Sequence, residues 1–194
     1  MLSQGAWLPH LPRIIFKLTM KALCTVLVVA AAAVAKVFSI NSAWAPLGAA
    51  RFKQLIEDKF YDNAGFFRYV PKFVVQWGIA ADPKNNKDAD IKDDKWGVVS
   101  NTVGTLVYAS AGNNTRTTQL FVNFANNSFL DKFGFTPFGK VTASLDILQN
   151  KTYAAYGEAP DQDKIYVEGD AYLKLEFPLI THIMKASLVG RPGC

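Results

Sequence analysis

A chain of 194 residues is long enough for one domain of ordinary size plus an appendage. Its formal charge of +5 is unevenly placed: Arg13, Lys17, Lys21 and Lys36 fall in residues 1–45 with no acid, and the remainder is close to balanced. The body keeps no basic stripe, so nucleic acid is not an expected partner. Two cysteines, Cys24 and Cys194, and two histidines, His10 and His182, share no ligand spacing. Zinc sites, disulfide frameworks and Ser-His-Asp or Cys-His centres therefore lack their parts, and a domain without metal, cofactor or disulfide is expected.

Taken in order, the chain opens with a leader, residues 1–35, ahead of a domain in residues 36–194. Ala22–Ala35 (ALCTVLVVAAAAVA) is an uninterrupted apolar run. It is short of the roughly 20 residues a spanning helix needs and has the length of a signal-peptide h-region. Lys17 and Lys21 precede it, and Ala33-Val34-Ala35 offers a small-x-small cleavage pattern. Extended over residues 22–40, the run reads instead as a membrane tether with the domain on the non-cytoplasmic side. An organelle transit segment is the third reading, because no acid occurs before Glu57. The expected location is accordingly the secretory route or a membrane surface facing away from the cytoplasm, with organelle import as the alternative.

Lys36–Asn41 reads as a strand and Ser42–Pro46 as a turn. Pro46–Tyr61 reads as a helix, with Leu47, Phe52, Leu55, Ile56 and Phe60 near one face and proline suited to the first turn. Ala81–Asp94 is a charge run without the glycine and closing glutamate of a calcium loop, and reads as solvated. Trp96–Ser100, Thr102–Ala109, Gln119–Phe124, Phe138–Val141 and Ile183–Val189 read as strands. Thr142–Gln149 reads as a helical turn. Pro160–Phe177 reads as a second helix, entered through Pro160-Asp161-Gln162 and stopped before Pro178. Sequons occur at Asn113, Asn126 and Asn150, the first on the loop Gly112–Thr118.

The most informative stretch is Phe66–Gly78, FFRYVPKFVVQWG. β-Branched and aromatic residues flank Pro71, which cannot donate to a ladder, so two short strands should meet at Pro71-Lys72. Arg68 and Gln76 would then be neighbours, with Phe73 and Val74 close by. An apolar hollow with two polar groups aimed into it is the makeup of a small-molecule or peptide pocket. The plainer reading is an exposed strand arginine paired with a carboxylate.

This stretch resembles the first signature of the cyclophilin-type peptidyl-prolyl isomerases, roughly F-H-R-V-I-P-G-F-M-x-Q-G-G. Ala109–Val122 (ASAGNNTRTTQLFV) and Ser128–Val141 (SFLDKFGFTPFGKV) are similar to two further signatures in the family's order. The resemblance implies an antiparallel β-barrel with a helix at each mouth, acting as a folding helper on proline-containing peptides or unfolded proteins, as a monomer. It implies that Arg68 is the catalytic donor to a twisted Xaa-Pro amide. Phe73, Val74, Phe121, Phe129 and Leu130 would form the socket and its rim, Gln76 and Gln119 the orienting polar groups, and Ala109, Ser110 and Ala111 the stretch that pairs with substrate backbone. Val74 stands for the family's usual Met, Ser110 for Asn and Phe129 for Trp, and Phe135 is nearest to the position of the usual His. The alternative is a non-catalytic proline-peptide-binding domain or a membrane-tethered scaffold. Relatives also begin with two antiparallel strands joined by a hairpin. Here the sequence shows no counterpart of the first, because the Ala-rich run lacks Gly, Asn or Asp to turn one. The leader is therefore expected to leave the barrel as a helix or tail.

Overall fold

A computed structural model of the chain describes residues 14–20, 24–26, 35–87 and 89–189. The strands among these residues are β1 (Ile14–Met20), β2 (Cys24–Val26), β3 (Ala35–Ile40), β4 (Arg68–Val70), β5 (Val74–Trp77), β6 (Thr105–Tyr108), β7 (Leu120–Asn123), β8 (Pro137–Ala143) and β9 (Ile183–Leu188). The helices are α1 (Pro46–Glu57), α2 (Leu145–Lys151), α3 (Gln162–Glu168) and α4 (Asp170–Glu176). One sheet runs in the order β2-β1-β3-β8-β6-β7-β5-β4, with β9 beside β1. The expected mainly-β architecture with helical caps is therefore present. The ends of the sheet approach at one isolated antiparallel bridge, Gly65 to His182.

The leader departs from expectation. Ile14–Met20 does not leave the sheet; it lies between β3 and β9 and runs parallel to both. β2 pairs antiparallel with β1, and not with β3. The physical reason is the connection. The pairing of Met20 with Cys24 closes a hairpin without Gly, Asn or Asp between them, and residues 21–34 then supply the roughly one dozen residues that a parallel return from β1 to β3 needs. Most of the apolar run, the cleavage pattern at residues 33–35 and Cys194 lie wholly or partly outside the described residues.

The main core lies on one face of the strands, and period-2 alternation selects what enters it. Val75 and Trp77 of β5, Leu120 and Val122 of β7, and Leu106 and Tyr108 of β6 all point into it. α1 adds Phe52, Leu55 and Ile56, with the Phe52 ring 5.2 Å from Phe138. Leu47, expected on the same face, is instead exposed, and the small Gly48 and Ala49 are buried in its place. α1 has no side-chain N-cap of its own. Its first N–H groups donate to a distant carboxylate: Leu47 N to Asp94 Oδ1 and Gly48 N to Asp94 Oδ2, both at 2.8 Å. Asp94 also accepts from Arg116 Nη1 at 3.1 Å. The last aspartate of the charge run is therefore buried as a remote cap for a positive helix end, and is not solvated.

The predicted second helix is two helices. Asp161 caps α3 through bonds from the Asp163 and Lys164 amides, as its position implied. Gly169 then breaks the run with φ 63° and ψ −143°, a backbone conformation that glycine tolerates best. α3, α4 and the adjacent loop bury Ile165, Tyr172, Leu173 and Ile180 against Phe67 and Ile79. Trp96–Ser100 forms a turn and bends with no ladder partner, despite its strand-like composition.

Candidate functional site

The site follows from the same alternation, read from the other face. β4 and β5 are joined by the turn at Pro71-Lys72, where Lys72 takes φ 60°. The ladder then sets Arg68 opposite Gln76, Gln76 opposite Phe121, and Phe121 opposite Val107. One transverse row, Arg68-Gln76-Phe121-Val107, thus crosses four strands on the face turned away from the main core. The expected neighbourhood of Arg68 and Gln76 is present.

The apolar half of the row is a separate cluster of Val74, Val107, Phe121 and Leu130, with Phe73, Ala109 and Phe135 packed against it. Phe121 meets Phe135 edge-on at 5.8 Å, and Phe73 stacks on Phe129 at 6.1 Å. Phe129 is 52% exposed, so it forms a rim and not a floor. Below Leu130 the chain is tied down by polar bonds. Asp131 accepts from Ser100 Oγ at 2.5 Å, Asn101 N at 2.9 Å and Asn101 Nδ2 at 2.7 Å. Burial raises the Asp131 carboxyl's pKa, but these bonds outweigh it and hold the group below the usual carboxylate range. Asn127 bonds the Phe73 carbonyl at 3.0 Å and the buried Asn123 at 2.7 Å. The socket therefore rests on a satisfied hydrogen-bond network, which rigidifies it.

The polar half is a directional chain. Arg68 Nη1 donates to Gln76 Oε1 at 3.1 Å, Gln76 Nε2 to Gln119 Oε1 at 2.7 Å, and Gln119 Nε2 to the Tyr166 hydroxyl at 3.1 Å. Arg68 Nε also donates to Glu158 Oε1 at 2.6 Å. The guanidinium carbon lies 5.8 Å from the Phe73 ring centre, which sets the cation at the edge of the socket. Beside it, Gln76, Ala109, Ser110, Ala111, Thr115, Thr117, Gln119 and Gln162 line an open cleft of about 280 Å³. Gly78 allows the close approach that holds Gln119. A Cβ there would sit 2.5 Å from the Thr118 carbonyl oxygen, and its φ is +118°.

Every residue expected at the site thus lies in the socket, on its rim, in the polar chain or along the cleft. Sequence reasoning missed Glu158, Tyr166 and Gln162. They come from the segment after α2, and the only local signal was the Asp161 cap that announces α3. Among the described residues no group of three or more His, Cys, Asp or Glu side chains is placed to hold a metal ion.

The fold and the site define a helix-capped β-sheet protein with a shallow groove, apolar at one end and carrying a fixed cation at its edge. Residues 33–168 match the family described as cyclophilin type peptidyl-prolyl cis-trans isomerase/CLD. A peptidyl-prolyl cis-trans isomerase of Acinetobacter baylyi is 31% identical over 131 residues, covering 61% of this chain and 70% of that protein. Peptidyl-prolyl cis-trans isomerase A of Dickeya dadantii is 28% identical over 131 residues, covering 61% and 69%. A cyclophilin type isomerase of Cryptosporidium parvum shares the fold, with TM-score 0.59 at 19% identity over 80% of this chain and 91% of that one. The same protein in the presence of the dipeptide Ala-Pro gives TM-score 0.51 at 24% identity, covering 58% and 77%. The chain belongs to the cyclophilin type peptidyl-prolyl cis-trans isomerase family.

Proposed function

We propose that this isomerase turns over Xaa-Pro bonds through Arg68, with the proline ring seated among Phe73, Val74, Phe121 and Leu130. The amide bond resists rotation by about 18–20 kcal/mol because resonance keeps it planar. Twisting localises the nitrogen lone pair, and a cationic donor beside that nitrogen stabilises the twisted form above either planar one. No nucleophile or acid-base pair is required. Arginine suits the task because its fork stays charged and donates in fixed directions.

The observation that carries this reading is the transverse row. It sets a guanidinium, a relay amide and a buried phenyl ring side by side on one face. Ala109, Ser110 and Ala111 along the open cleft supply backbone for an extended proline-containing peptide. A neighbouring fold was determined with Ala-Pro, which supports a proline peptide as the ligand class. Phe129 and Phe135 stand near the positions where the family resemblance places indole and imidazole donors, and they offer apolar rings instead, one stacked on Phe73 and one edge-on to Phe121.

The test is the isomerisation rate on a Xaa-Pro peptide, measured beside a thermal melt. Arg68→Ala should lose about 10²-fold or more in kcat/KM, the scale of a lost preorganised donor, with the melt unchanged. Arg68→Lys should recover little of it. Parental turnover in Arg68→Ala would remove the arginine from the mechanism and favour a binding module.

The charge pattern of the leader further supports a domain delivered into the secretory route or an organelle. Among the described residues no helix is long and apolar enough to cross a membrane. Imaging the full chain with a C-terminal tag tests this, and a uniform cytosolic signal would overturn it.

A further inference from the structure

We propose that Glu158 is a positioning residue for Arg68, holding the guanidinium by its Nε edge so that the Nη side faces the groove. This rests on the reading of Arg68 as the catalytic donor.

Two contacts fix the guanidinium from different elements. Gln76, across the ladder, accepts from Nη1 at 3.1 Å, and Glu158, 90 residues away in sequence, accepts from Nε at 2.6 Å. The carboxylate does not arrive on a loose arm. The Tyr69 amide, next to Arg68 on β4, donates to the Gly157 carbonyl at 2.8 Å, so the loop's backbone is pinned to the strand beside the arginine. The loop is folded on itself by Gly157 N to Ala154 O at 3.0 Å and Ala159 N to Tyr156 O at 2.9 Å. Tyr156 anchors it behind, meeting the Phe177 ring at 5.0 Å and accepting from Leu179 N at 3.3 Å.

The far end of the polar chain is held by the same part of the protein, since Gln119 donates to Tyr166 on α3. Segment 153–176 therefore brackets the chain Glu158-Arg68-Gln76-Gln119-Tyr166 at both ends. An arginine side chain has large rotamer freedom, and catalysis by a donor depends on that donor being aimed beforehand. As a source of stability the pair is minor. Its side chains are 28% and 59% exposed, and ion pairs in such settings contribute little to folding. Its consequence is expected in rate.

The experiment compares Glu158→Ala and Glu158→Gln with the parent, using full-length protein, an Xaa-Pro peptide, separate kcat and KM values, and thermal melts. Glu158→Ala should lower kcat by about three- to fivefold, the rate equivalent of a partly exposed contact, with KM and melt unchanged. Glu158→Gln should keep more than half of the parental kcat, because its amide oxygen still accepts from Nε. Parental or higher kcat in Glu158→Ala overturns the proposal. So does a Gln variant as slow as the Ala variant, which would make the charge and not the aim decisive, or a rate loss that comes with a lower melt. Arg68→Ala, run in parallel, separates the two readings: if it is slow while Glu158→Ala is parental, only the positioning role fails.

Discussion

Replacing Asp131 with Asn tests whether the socket is held by its polar support. The aspartate carboxylate accepts three hydrogen bonds, two of them from Asn101 on one oxygen and the third from Ser100 on the other. An amide can accept at one end only. Facing Asn101 with its oxygen, it loses acceptance from Ser100, whose hydroxyl can turn and accept instead. In either orientation the charge-assisted character of the bonds is gone. Hydrogen bonds to charged groups contribute about 1.5–3 kcal/mol each, so a net loss of about 2–3 kcal/mol is expected at pH 7. For a domain of this size that corresponds to a melt lower by roughly 4–10 °C. The pH dependence carries a sign. Because the folded pKa lies below the ordinary value, the carboxylate's contribution is complete above the unfolded pKa of about 4 and is lost as pH falls through the folded one. The melts of parent and Asp131→Asn should therefore differ at pH 7 and converge below about pH 4. Since Asp131 adjoins Leu130 in the socket, KM for a proline peptide should rise as well. Melts within 1 °C at pH 7, or a gap that is as wide in acid, would falsify the network's role.

Two further substitutions bear on other parts of the groove. Phe121→Ala removes a ring that is 5% exposed and packed by Val74, Val107, Leu130 and Phe135; it should cost about 3–4 kcal/mol in urea unfolding and raise KM together with that loss. Gly78→Ala forces a Cβ against the Thr118 carbonyl at a positive φ; about 1–3 kcal/mol of stability should go, with a drop in kcat/KM because Gln119 must move, and an unchanged rate would show that Gln119 does not orient the groove.

What could be read beforehand was what local chemistry enforces. A proline between two β-rich tripeptides forces a tight turn, and the turn then dictates that Arg68 faces Gln76. The socket followed by resemblance and by alternation, since Phe121 sits between the core residues Leu120 and Val122 and must face the other way. What could not be read depended on distant partners. Nothing in Gly157-Glu158-Ala159 marks a carboxylate bound for Arg68, because the deciding bond is the Gly157 carbonyl to Tyr69. Asp94 looked like one more charge in a solvated run until α1 presented its unpaired amides to it. Trp96–Ser100 had the composition of a strand but no neighbouring edge to pair with, and composition alone does not make a ladder. The single helix over Pro160–Phe177 rested on the signals at its two ends, and the backbone conformation of Gly169 between them divides it.

The opening strand also changes how the chain's departure from the family's start bears on activity. An empty slot between β3 and β9 would leave two facing rows of backbone donors and acceptors unpaired. Ile14–Met20 fills that slot in parallel register with both strands, pairing Phe16 with Lys36 and with Ala186. The residues of the transverse row sit elsewhere, on β4, β5, β7 and β6, with β8 standing between them and β3. Among the described side chains of β3, Phe38 and Ile40 belong to the main core and not to the socket cluster. A weaker pairing at the start of the chain would therefore lower the population of folded domain without altering the geometry at Arg68. Its effect on turnover would follow the melt, whereas under the proposed mechanism changes at Arg68 and Glu158 should act on the rate with the melt held constant.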